Sequence, residues 1–109
     1  MNTTTFNIIE KNGSGKANGT SFQGTVSTTL ENLINHLGEP LEGSWDGKTT
    51  AQWVLEFEDG VIVTIYDWKM GKTPVGLYEW HIGGKSKDVV DRLQEALGMS
   101  PLVFTKSKF

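Results

Sequence analysis

Cysteine is absent from the 109-residue chain. That removes a disulfide framework, a thiolate nucleophile and any cysteine-ligated zinc from consideration. Long apolar runs are missing too. The longest uncharged one, VIVTIY at 61–66, is far too short to cross a bilayer as a helix. The start, MNTTTFNIIEKNG, lacks the basic opening and apolar stretch of a secretory signal, so a cytoplasmic protein is expected. Excess positive charge is absent as well: a formal net charge of -3 argues against a partner that is a long nucleic acid, whose many phosphates call for a basic surface. A small anion needs two or three placed cations and stays open.

What remains is an ordinary globular composition, 37% hydrophobic and 21% charged, in a length that suits a single domain over 1–109. EKNGSGKANG (10–19) reads as a mobile loop. It separates TFNII from SFQGTV, which pair in this reading as an N-terminal hairpin. GSGK (13–16) lacks the earlier glycine and the following hydroxyl residue of a phosphate loop, with Glu10 and Ala17 in those places.

Leu30, Leu33, Ile34 and Leu37 form one stripe of a first helix, capped by Ser27 or Thr28 and stopped by Gly38. TAQWVLEF (50–57) and VIVTIYDW (61–68) flank Asp59-Gly60, a strong hairpin signal. A two-residue turn there pairs Phe57 with Ile62, Leu55 with Thr64, Trp53 with Tyr66 and Ala51 with Trp68, and turns that face to the core. Val54, Val61, Val63 and Ile65 then fall on the other, mixed face, where they offer a subunit contact. GLYEWHI (76–82) is a third strand. A second helix starts near Ser86 and carries Val89, Val90, Leu93 and Leu97 inward. The tail, 99–109, adds a short strand or covers a partner subunit. The fold class is α+β: a mostly antiparallel sheet of about four to five strands with two α-helices packed on one face.

The chemistry concentrates in YDWKMGKTPVGLYEWHIGGK (66–85). Core packing is the default for Trp53 and Tyr66. Trp45 lies among turn residues, and Trp68 and Trp80 are flanked by charge in DWK and EWH. Indoles beside lysines suit stacking on a nucleobase, worth about 1–3 kcal/mol per base. Lys48, Lys69, Lys72 or Lys85 can meet phosphate, helped by backbone amides at Gly83 and Gly84. Trp45, Lys48, Tyr66, Trp68, Lys69, Lys72, Trp80, His81, Gly83, Gly84 and Lys85 are therefore the candidate ligand-binding residues, against the plainer reading of a packed hairpin.

His81 with Glu79 is too small a set for a catalytic or metal site. His36 suits the C-terminal end of its helix for electrostatic reasons. Glu56, Glu58, Asp59 and Asp67 make no convincing cation site, because three of them cluster at an exposed turn. No catalytic residue, metal or cofactor is expected.

GTVSTTLENLINHLGEP, DGKTTAQWVLEFEDG, VTIYDWK and EWHIGG, in this order, resemble a widespread family of small bacteriophage proteins over roughly residues 22–97. The chain is similar to the phage anti-CBASS sponges, which bind 3′3′-cGAMP as oligomers without degrading it. The resemblance implies an immune-evasion protein in the host cytoplasm, a homo-oligomer whose partner is a cyclic dinucleotide. Two other readings stay beside it. One is a phage inhibitor acting by protein–protein contact, an anti-CRISPR or other anti-defence protein, which the acidic charge favours. The other is an enzyme using His81 and Glu79 on a phosphodiester.

Overall fold

A computed structural model describes residues 6–8, 20–42, 48–57, 60–69, 71–97 and 103–106. The expected loop at 10–19, the ends of the tail and Trp45 lie outside them. The fold is α+β. Among the described residues seven strands form one antiparallel sheet: β1 (Phe6–Ile8), β2 (Ser21–Thr28), β3 (Leu41–Glu42), β4 (Ala51–Phe57), β5 (Ile62–Tyr66), β6 (Tyr78–Gly84) and β7 (Val103–Lys106). Spatial order is β1-β4-β5-β6-β2-β7, with β3 paired to the first two residues of β4. Helices α1 (Leu30–Leu37) and α2 (Asp88–Leu97) contribute to one core cluster with the sheet.

Each helix forms where apolar spacing and end signals agree. In α1, Thr29 is the N-cap, its hydroxyl accepting from Asn32 N at 3.2 Å. Ser27 and Thr28 were expected in that role, but β2 runs through both. Gly38, at φ 86°, ends the helix and donates to Ile34 O at 2.8 Å. Leu33 and Leu37 are buried, and so are Val89, Val90 and Leu93 of α2. His36, in the last turn of α1, bonds Asn32 O through Nδ1 and is exposed.

The β4–β5 turn has three residues rather than two. Gly60 N donates to Phe57 O and Phe57 N to Val61 O, with Gly60 at φ 87°. This is a turn closed by a left-handed glycine, which adds one residue to the loop. The pairing slips by one from the expected register: Gln52 faces Tyr66, Trp53 Ile65, Val54 Thr64 and Leu55 Val63. A one-residue slip exchanges faces. Val63 and Ile65, expected on a face free for another subunit, are instead fully enclosed in the core, and Val54 is buried. Tyr66 leaves the core for the opposite face.

Two more pairings differ from expectation. β1 pairs with β4, and β2 with β6 and β7, so the N-terminal segments make no hairpin with each other. β2 also carries a bulge. Phe22 opposes Gly83 and Gly24 opposes Ile82, leaving Gln23 as the extra residue. The Gln23 side chain holds it, donating to Gly84 O at 3.0 Å and to Ser21 Oγ at 3.2 Å. Without the bulge, Phe22 would share the inward parity of Gly24 and Val26. With it, Phe22 turns to the face away from the helices.

Candidate functional site

On that outer face the register brings together side chains distant in sequence. Phe22, Tyr66, Trp68 and His81 line a pocket of about 360 Å³. That is near the small end of ligand-binding cavities, which span about 300–1,000 Å³. Pairing of Tyr66 with His81 stacks their rings at 5.4 Å and 24°. Phe22 tilts against His81 at 5.3 Å, and Trp68 meets Tyr66 edge-on at 6.2 Å.

Glycine makes the close packing possible at one point. A Cβ on Gly83 would collide with Thr64 Oγ1 and come within 3.4 Å of the Tyr66 ring. Gly83 thus contributes space under the pocket wall. Gly84 serves the other face: a Cβ there would lie 2.7 Å from Val89 of α2, and its carbonyl accepts from Gln23.

The titratable pocket walls favour their neutral forms. Burial pushes the Tyr66 hydroxyl above its ordinary value, with Tyr78 adding to the rise. Burial pulls the His81 imidazole below its ordinary value, against the opposing pull of Asp67 and Glu79. His81 Nδ1 is buried with no hydrogen-bond partner among the described residues. No described side chain orients this ring as a general base through Nδ1.

Positive charge stands beside one of the pocket's lining rings. Lys48 Nζ lies 5.9 Å and Lys69 Nζ 5.7 Å from the Trp68 ring centroid. Trp68 is 41% exposed and its backbone N–H is held by the Tyr78 hydroxyl at 3.1 Å. Beneath it, Asp67 is wholly buried and accepts from Thr50 N, Ala51 N and Thr50 Oγ1 at 2.6–3.0 Å. Those partners account for the carboxylate. Among the described residues no three His, Asp or Glu side chains group as metal ligands.

Of the eleven sequence candidates, the structure brings together Tyr66, Trp68, His81, Lys48 and Lys69, with Gly83 behind them. Trp80 is the clear correction. Expected to stack on a ligand, it has no exposed surface and packs edge-on against Trp53 at 5.4 Å. Its polar neighbours Glu79 and His81 point to the opposite face, as alternation requires. Gly84 is a packing residue. Lys85 lines a separate hollow of about 220 Å³ with Gly60, Val61, Ile62, Ser86, Asp88 and Val89. Lys72 is exposed on the 67–77 connection and is not among the described residues lining the ring pocket. Phe22 was missed, since its parity in β2 points inward until the bulge is known.

Among the described residues, no helix is long and apolar enough to cross a membrane. No protein-family model, curated protein or solved structure matches the chain.

Proposed function

We propose that this protein binds and sequesters a cyclic dinucleotide, of which 3′3′-cGAMP is the type, without cleaving it. Acting in the cytoplasm of a phage-infected host, it would keep that signal from activating CBASS defence. The observation that carries the reading is the pocket of Phe22, Tyr66, Trp68 and His81, flat uncharged rings with two ammonium groups within 6 Å of the Trp68 ring. Stacking favours a nucleobase on such walls, and the cations favour its phosphate. A volume of about 360 Å³ suits one base and its sugar, leaving the second half of a dinucleotide to reach beyond the pocket. The exposed Val75 and Leu77, on the connection that also carries Trp68, supply apolar area for a homo-oligomer.

Those two residues also favour a second reading, inhibition of a host defence protein by direct contact. One experiment divides the two. Thermal denaturation with 3′3′-cGAMP at a hundredfold excess over its Kd will show stabilisation of about 2.7 kcal/mol. The ligand will be recovered intact after the protein is heat-denatured. A recovered hydrolysis product would make the protein an enzyme. No stabilisation by any cyclic dinucleotide would leave the protein-contact reading.

A further inference from the structure

The 67–77 connection joins two neighbouring antiparallel strands through eleven residues, against the two to five usual for a hairpin. Its first turn is tied to the residues that lead into β4, and to the start of β4 itself, by a set of hydrogen bonds, partly buried around Asp67. Asp67 N donates to Ala51 O at 3.4 Å, and Lys69 N donates to Lys48 O. Asp67 Oδ1 accepts from the backbone amides of Thr50 and Ala51, at 2.7 and 3.0 Å, and Oδ2 accepts from Thr50 Oγ1 at 2.6 Å. Thr50 Oγ1 in turn lies 2.7 Å from Thr73 Oγ1, which draws in the far side of the connection. Lys69 sits at φ 57°, a left-handed conformation uncommon for a residue with a Cβ. Such backbone persists where surrounding bonds over-determine it. Its result is that two lysines distant in sequence hold their ammonium groups within 6 Å of one indole centroid.

We propose that Lys48, Trp68 and Lys69 form an anion subsite for a phosphate ester at the rim of the ring pocket, and that Asp67 is the positioning residue that assembles it. For the identity of the ligand this rests on the nucleotide reading; for the anion chemistry it does not. The carboxylate itself is negative and repels an anion, so its contribution is geometric: it aligns residues 48–51 beneath 67–69. Asparagine in its place keeps an acceptor for the Thr50 and Ala51 amides and removes the repulsion. Alanine removes the frame.

Quenching of indole fluorescence tests this with probes unrelated to nucleotides. In a Trp45→Phe background, Trp68 is the quencher-accessible indole among the described tryptophans, since Trp53 and Trp80 are enclosed. Iodide reports anion attraction and acrylamide reports simple access. The paired substitutions Lys48→Met and Lys69→Met will lower the iodide quenching constant at least twofold and leave the acrylamide constant unchanged, while Lys85→Met changes neither. Inorganic pyrophosphate will protect Trp68 from iodide in the parent and fail to do so in the paired variant. Asp67→Asn will keep or raise the iodide constant, and Asp67→Ala will lower it. An iodide constant unmoved by loss of both lysines overturns the anion subsite. A drop in Asp67→Asn equal to that in Asp67→Ala overturns the positioning role. Should iodide behave as expected while 3′3′-cGAMP gives no thermal shift, the nucleotide reading fails and the anion subsite stands.

Discussion

The two faces of β5 and β6 share one backbone and have opposite chemistry. Toward the helices, Val63, Ile65, Trp80 and Ile82 have no exposed surface. Away from them, Tyr66, His81 and Gly83 alternate with those residues and stand around a pocket. Trp80 and Trp68 carry the contrast in one residue type. Both have charged neighbours in sequence, Asp67 and Lys69 for one and Glu79 for the other, yet Trp80 has no exposed surface and Trp68 is 41% exposed. In a strand the immediate neighbours of a side chain lie on the other face, so charge beside Trp80 says nothing about its own surroundings. Trp68 lies past the end of β5, where alternation no longer governs it.

The sharpest way to break this contrast is to remove each indole. Trp80→Ala is expected to cost about 3–5 kcal/mol, the range for a large aromatic deleted from a core. Trp68→Ala is expected to stay within about 0.5 kcal/mol, as exposed substitutions do, while abolishing ligand binding. Urea unfolding measures both. Equal costs would mean that Trp68 is structural and the pocket reading is wrong.

Two glycines sharpen the same contrast at smaller scale. A Cβ on Gly24, on the helix face, meets the carbonyl of Thr105 and lies 2.9 Å from Val90. Backbone cannot yield without unzipping β7, so Gly24→Ala is expected to destabilise by about 1–3 kcal/mol. Gly83→Ala meets the Thr64 side chain rather than backbone. Its stability cost is expected to be the lesser of the two in urea unfolding, with ligand affinity falling because Tyr66 is crowded.

Much of this division was legible in sequence, and what was not has physical causes. Helix spacing and Gly38 located α1, and strand composition around Asp59-Gly60 located β4 and β5 within an α+β fold. Period-two patterns give alternation but not parity between strands. The extra loop residue before Gly60 moved Tyr66 from the core into the pocket, and the bulge at Gln23 did the same for Phe22. Neither shift is written in local propensity, since each depends on which residue of a partner strand lies opposite. The pairing of β1 with β4 instead of β2 is long-range in the same sense. Cations split likewise: Lys48 and Lys69 meet through a backbone bond, whereas Lys85 lies at another hollow.

A smaller effect concerns acid. His81 has its proton affinity lowered in the fold, so below about pH 6.5 the unfolded chain binds the proton more readily than the folded one. Stability is therefore expected to fall as pH drops from about 6.5 toward the depressed folded value, and to level off below it. At most one proton contributes, a slope no steeper than about 1.4 kcal/mol per pH unit. Urea midpoints at successive pH values will show this for the parent, and His81→Phe will lose that part of the slope. An unchanged slope would place His81 in water and not in a pocket wall.

The most direct measurement follows the indole N–H signals in proton–nitrogen spectra during titration with 3′3′-cGAMP. Four indoles are present. The Trp68→Phe variant assigns one signal, and Trp53 is marked by its bond to Gly38 O at 2.9 Å. Expected is a saturable shift of the Trp68 signal, with those of Trp53 and Trp80 fixed. A Trp68 signal that stays in place at saturating ligand would contradict a nucleobase stacked on the outer face.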